Sequence, residues 1–435
     1  MTRGIENLNE DAGGKEIHFV VWVHGLWGNP GHLEYFVEQL DEKHGDQIHI
    51  LNAKCNTSEY TYDGVDICGE RLTEEIMGEY KVLKDRNYKV TKFSIIGYSL
   101  GGLVSRYAIG ALYDDGFFKE VEPLLFTTFA TPHLGIRRED DTTYNKVFNW
   151  ISSHLLSKTG EQLQLIDKYE DGKPLIHVLA DPGKVFYKAL SIFKYRKLYA
   201  NTYNDRTVPF WTAAIVDVNP FDKMDKLNIT IDKNWPSIIE SIQLKEESST
   251  VDTMTLAKNV PRYIIAGVAA PIVVPIWLTF ALSTLTVQSA ISRRRVQQII
   301  NTRTREGKHV ARVSEASPFS IVASDIEEGS IEAAMNIKSL FPSGPTSPIT
   351  ESAGETLGKP TGDFSNMIES CNCQPLLLLQ AQKDALKHLN NLKWEKHSVY
   401  IDTLNAHGAI VVRNKRFYST GKDVVRHFVD KVFVT

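Results

Sequence analysis

Apolar and polar positions along residues 17–235 follow two periods that take turns. "IHFVVWVHG" (17–25) is a nearly unbroken apolar run, the pattern of a strand buried on both faces. Between His32 and Lys43 the apolar positions Leu33, Phe36, Val37 and Leu40 recur at helical spacing. "IHILNA" (48–53) predicts a second strand and Val65–Tyr80 a second helix. "VTKFSIIG" (90–97), "LLFTTFA" (124–130) and "KLYAN" (197–201) predict three more strands. Strands alternating with helices imply a mainly parallel sheet with helices on both faces. The aromatic and basic stretch "VFYKALSIFKYRKLY" (185–199) reads as a core-packed helix in preference to a lipid-facing cap.

The pattern then breaks. Residues 263–292 carry no formal charge, and about 302–370 is rich in Ser, Pro, Gly and Thr, the composition of a disordered linker. Afterwards Leu376–Leu392 predicts a helix, "HSVYI" (397–401) and "AIVVR" (409–413) strands, and Lys422–Val432 a final helix. The expected organisation is one α/β core in two parts, 17–235 and 374–435. A membrane-associating segment at 258–295 and the linker at 302–370 interrupt it.

Charge and cysteines narrow the class. With 49 Lys and Arg against 53 Asp and Glu, the net charge of −4 gives no global pull toward nucleic acid. Cys371 and Cys373 are too close for an ordinary disulfide, and no Cys/His array suggests zinc, so no metal is expected. The four cysteines favour a reducing compartment. The first sixteen residues are polar, unlike a secretory signal or transit peptide. The glycosylation patterns at Asn56 and Asn228 are therefore read as chance.

The chemistry centres on "IIGYSLGGLVSRYA" (95–108). Gly97-Tyr98-Ser99-Leu100-Gly101 is G-x-S-x-G between an apolar strand and a helical stretch, the setting of a nucleophile elbow. An oxyanion site needs backbone N–H donors: Leu100, directly after the serine, and Leu26 in the early "VWVHGLWGNP" loop are the expected pair. His24 in that loop precedes the serine and is read as structural. On this fold the acid and base follow the serine. Asp205, in the polar turn after "KLYAN", is the expected carboxylate, with Asp181 and Asp217 as rivals. His407, in "YIDTLNAHGAIVV", is the expected base, whereas His388, His397 and His427 fall in helix or strand patterns.

These motifs carry a resemblance. "HGLWGNP", "GYSLGGLVSRYA", "FATPHLG", "NDRTVP" and "NAHGAI" together resemble the fungal putative serine esterase/lipase family of α/β-hydrolases, and within it the lipid-droplet phospholipase of yeasts. The resemblance covers residues 17–235 and 374–435. It implies the α/β-hydrolase fold, Ser99, Asp205 and His407 as a triad, Leu26 and Leu100 as oxyanion donors, and no cofactor. Tyr98 stands where many lipases carry His, and His133 of "TPHLG" recurs in the family without an independent physical role.

The uncharged run bears on the substrate. Thirty residues would make about 45 Å of helix, more than a hydrocarbon core of about 30 Å needs. A single span would put Ser99 and His407 in different compartments. A monotopic hairpin is therefore expected, broken at Pro271 and Pro275 with Lys258, Arg262 and Arg293–Arg295 at its ends. A buried core helix is the alternative. Seven Lys and Arg between Arg293 and Arg312 could hold anionic headgroups at about 1 kcal/mol each, or simply begin a solvated linker. The expectation is a glycerophospholipid lipase on the cytoplasmic face of lipid droplets, or of the endoplasmic reticulum membrane. Its expected partners are a phospholipid monolayer or membrane and a glycerolipid substrate. A neutral-lipid lipase, an acyltransferase with the same triad, and a lipid-binding scaffold are the rivals.

Overall fold

The computed structural model describes residues 14–138, 143–155, 157–244, 283–302 and 374–435. Six parallel strands form the centre: β1 (Lys15–Val23), β2 (Ile48–Asn52), β3 (Tyr88–Tyr98), β4 (Glu122–Phe129), β5 (Tyr195–Asn201) and β8 (Glu395–Val399), in the order β2-β1-β3-β4-β5-β8. Strands β6 (Leu227–Ile231) and β7 (Ile239–Leu244) pair separately as an antiparallel hairpin. The chain therefore has an α/β-hydrolase fold.

The unbroken apolar character of β1 follows from its central place. Phe19, Val21 and Val23 enter one core with α2 (Val65–Asp85) and α3 (Leu100–Asp114). Val20 and Trp22 enter the opposite core with α1 (Glu34–His44) and the C-terminal helix Lys422–His427. Alternate side chains of one strand thus fill two separate layers. Val185–Ile192 is a core-packed helix: Phe186 lies so close to Gly110 of α3 that a Cβ there would sit 2.2 Å from the ring.

The return to the sheet after residue 374 is real, with β8 pairing parallel to β5 from Lys197↔Glu395 to Asn201↔Val399. The strand expected over "AIVVR" is not formed. Ala406–Ala409 is a helical turn capped by Asn405, and the chain reverses at Val412, whose φ is +54°. Ala409–Val412 are all buried, and a short buried apolar run looks the same as helix or strand in sequence.

The segments 258–282 and 303–370, including Pro271 and Pro275, lie outside the described residues. The last part of the uncharged run lies in a helix, 283–302, with Leu285, Val287, Ser292 and Val296 buried. Arg293 pairs with Glu161 at 3.3 Å and Arg295 with Asp63 at 2.7 Å, so these two charges are engaged inside the protein. Among the described residues, no helix is long and apolar enough to cross a membrane.

Candidate active site

Ser99 stands at the junction of β3 and α3 with φ +55° and ψ −126°, a conformation costly for a residue with a Cβ. The two glycines of the motif explain how this turn fits. A Cβ at Gly97 would come within 2.4 Å of the Gly102 backbone, and one at Gly101 within 2.2 Å of the Val23 carbonyl. Strand and helix therefore approach more closely than side chains would permit.

His407 comes from the other end of the chain. Its Nε2 lies 2.9 Å from Ser99 Oγ and its Nδ1 2.8 Å from Asp205 Oδ2. Asp205 follows β5 and accepts further bonds from Asn201 Nδ2 at 2.9 Å, Val208 N–H at 2.9 Å and Thr207 N–H at 3.1 Å. Burial by itself would raise the Asp205 pKa. The adjacent imidazole, its hydrogen bond and those from Val208 and Asn201 outweigh that and hold the carboxyl below its ordinary value. An ionised carboxylate only accepts, so His407 carries its hydrogen on Nδ1 and offers the Nε2 lone pair to the Ser99 hydroxyl. Such an arrangement can take a proton from the serine oxygen and stabilise the cation that results.

The loop after β1 passes directly beside Ser99: a Cβ on Gly25 would sit 2.6 Å from Ser99 Cβ and 3.2 Å from its Oγ. Leu26 follows in that loop, and Leu100 begins α3. Among the described residues, neither N–H is engaged in a hydrogen bond. His24 is buried within the same loop, its Nδ1 3.1 Å from Gly25 O, and takes no place beside the imidazole. Asp181 is engaged with Gly183 and Lys173, and Asp217 is exposed. His388 lies in the helix Gln380–Asn390, His397 Nε2 pairs with the Glu395 carboxylate of β8 at 3.0 Å, and His427 bonds Tyr199.

Residues 14–215 match the family model described as Putative serine esterase (DUF676). The matched segment contains Ser99, Asp205, Leu26 and Leu100 but not His407, which the fold alone brings in. Two yeast proteins are similar. Putative lipase C4A8.10 of Schizosaccharomyces pombe is 32% identical over 251 residues, which cover 55% of this chain and 31% of that protein. Putative lipase ROG1 of Saccharomyces cerevisiae is 36% identical over 220 residues, covering 49% of this chain and 30% of that protein. The chain thus spans under a third of the length of these two relatives. Among solved structures, phospholipase PlaB from Legionella pneumophila aligns over 67% of this chain and 63% of its own. Its TM-score is 0.30 and its identity 13%, too distant to carry an argument. In its α/β-hydrolase fold, the matched segment is thus similar to a putative serine esterase family and to putative lipases of yeast.

Three supporting residues were not legible as such. Tyr98, assigned no role from sequence, donates its hydroxyl to the His407 carbonyl at 2.9 Å and sets its ring 5.1 Å from the imidazole. Asn201 bridges, donating to Asp205 and, at 3.2 Å, to the Ala406 carbonyl. Asn405 caps the turn that carries His407, accepting from Gly408 N–H at 2.9 Å. A polar residue ending an apolar strand was the available signal for Asn201. His133 is fully buried, bonded to Thr128 Oγ1 at 2.9 Å, and its carbonyl accepts from Arg106 at 3.2 Å; this is a structural place.

Proposed function

We propose that the chain cleaves acyl ester bonds of glycerophospholipids at a lipid-droplet or membrane surface, with Ser99 as nucleophile, His407 as base and Asp205 as its orienting carboxylate. The observation that carries this reading is the relay Asp205–His407–Ser99, with hydrogen bonds of 2.8 and 2.9 Å ending on a serine in a strained turn. His407 Nε2 takes the Ser99 proton as Oγ attacks the ester carbonyl. The N–H groups of Leu26 and Leu100 face the oxygen on which negative charge develops. Collapse breaks the ester C–O bond, and His407 returns its proton to the departing lysolipid oxygen. Water, deprotonated by the same imidazole, then releases the fatty acid and restores Ser99. The uncharged run 263–292 supports a lipid surface as the place of action, and the putative lipases of yeast support lipid as the substrate class.

The test is labelling by a fluorophosphonate probe in wild type, Ser99→Ala, Asp205→Asn and His407→Ala. Labelling should vanish in Ser99→Ala. Asp205→Asn, which spoils the tautomer, should slow it by about 10³–10⁴-fold. Phosphatidylcholine vesicles and a triacylglycerol emulsion then separate the substrates: lysolipid plus fatty acid from the vesicles is the expected result. Fatty acid from the emulsion alone would replace the phospholipid assignment with a neutral-lipid one, and acyl transfer to an added alcohol without fatty acid would make the protein a transferase. A wild type that labels neither in solution nor on vesicles would overturn the catalytic reading in favour of a lipid-binding scaffold.

A further inference from the structure

Helix 283–302 is joined to the loop beside Ser99 through one intermediary, the 3-10 turn Ser58–Asp63. Arg295 grips this turn. Its Nε donates to Asp63 Oδ2 at 2.7 Å, and its Nη2 donates to Asp63 Oδ1 at 2.8 Å and to the Glu59 carbonyl at 3.0 Å. The guanidinium also lies 4.4 Å from the centre of the Tyr60 ring. Ser292, three residues earlier and so on the same helical face, donates to Asp63 Oδ1 at 2.6 Å. Asp63 is fully buried, so its charge must be matched by close partners. Arg71 of α2 donates to Oδ2 at 2.6 Å; Oδ1 is served by the 283–302 helix.

The same turn holds the 24–28 loop from its other side. Trp27 N–H donates to Thr61 Oγ1 at 3.0 Å, and Ser58 N–H donates to Gly28 O at 2.8 Å. The Thr61 hydroxyl hydrogen is directed to Ser58 O at 2.7 Å, which leaves its lone pair toward Trp27. Trp27 has φ +54°, a left-handed conformation that a bulky residue keeps only when its surroundings impose it.

We infer that Arg295 is a positioning residue for the oxyanion side of the site. With Ser292 it fixes Asp63 and so the turn, and the turn sets Trp27 and the preceding Leu26 N–H beside Ser99. Arg295 shares one helix with residues 283–292, so this described end of the uncharged run is mechanically tied to the oxyanion loop. The inference rests on the reading of Leu26 as an oxyanion donor.

The experiment uses the full chain, a soluble p-nitrophenyl ester, the fluorophosphonate probe and amide exchange at Trp27. Arg295→Ala should lower kcat by about 10- to 100-fold with KM within about twofold, because the loop acts on charge that develops in the transition state. Trp27 N–H exchange should quicken in the same variant. Arg295→Lys, with one ammonium in place of a fork, should recover part of the rate. Arg294→Ala, at an exposed neighbour, should behave as wild type. If Arg295→Ala does not fold, Ser292→Ala decides, with an expected loss of about two- to fivefold in kcat. Wild-type kcat in the deciding variant, a loss confined to KM, or unchanged Trp27 exchange would overturn the inference. A wild type that fails to label, or labels equally after Ser99→Ala, would instead remove the serine-hydrolase reading on which it stands.

Discussion

Tyr98→Phe isolates one atom of the site's support. The phenol is fully buried, burial raises its pKa, and its hydroxyl donates to the His407 carbonyl at 2.9 Å. Phenylalanine keeps the ring beside the imidazole and leaves no cavity larger than an oxygen atom. What is lost is the hydrogen bond to the His407 carbonyl and the one that Arg413 makes to the phenol, and what remains is a buried carbonyl without that donor, together about 1–3 kcal/mol. The effect on rate should be smaller. Asn201 still holds the Ala406 carbonyl, Asn405 still caps the turn, and the imidazole keeps its bonds to Ser99 and Asp205. The urea midpoint should therefore fall at unchanged slope by an amount equal to about 1–3 kcal/mol, with kcat reduced by less than about tenfold. A stability change below about 0.3 kcal/mol would refute the claim that this bond anchors the histidine. A rate loss as large as that of Asp205→Asn would refute it from the other side, since the phenol would then have to act in the chemistry itself.

Two further predictions concern stability. Burial pushes the Asp167 carboxyl up to about 7; the folded state therefore holds that proton more tightly than the unfolded chain, and stability falls as pH rises from about 4 to about 7. Asp167→Asn should be roughly 2–4 kcal/mol more stable than wild type at pH 8 and equal to it near pH 4, and thermal midpoints that show no such divergence would count against the buried acid. Gly78→Ala, in the interior of α2 with nothing within 4 Å of the added methyl, should stabilise by about 0.5–1 kcal/mol, whereas Gly101→Ala, whose Cβ meets the Val23 carbonyl at 2.2 Å, should unfold the elbow or abolish labelling.

Sheet class, strand positions and the elbow were legible because each is encoded over a few consecutive residues. The apolar runs at 17–25 and 90–97 need only their own periodicity to predict buried parallel strands, and G-x-S-x-G needs only its flanking strand and helix. Ser99 and its neighbour Leu100 are local in this sense. Asp205 and His407 were named from chain order and turn context, and sequence could not exclude Asp181. The structure separates the two through backbone geometry: Thr207 and Val208 turn their N–H groups onto Asp205, while Asp181 turns back on Gly183. The missed strand at 409–413 marks the limit of local patterns. A buried apolar run of four residues, Ala409–Val412, is too short to show a period, and the chain there follows a helical turn capped by Asn405.

The sequence by itself determined the alternation of strands and helices, the strained serine turn and the uncharged run, because these depend on neighbours within one turn or a few strand residues. Tertiary structure decided what lies far apart in the chain. It set His407 against Ser99 across 308 positions, Tyr98 under the His407 carbonyl across 309, and Arg295 on Asp63 across 232. A charge in the run after residue 292 reads in sequence as a hand for lipid headgroups. Only burial of Asp63 shows that Arg295 is already held, since a buried carboxylate must find its counter-charge inside the protein.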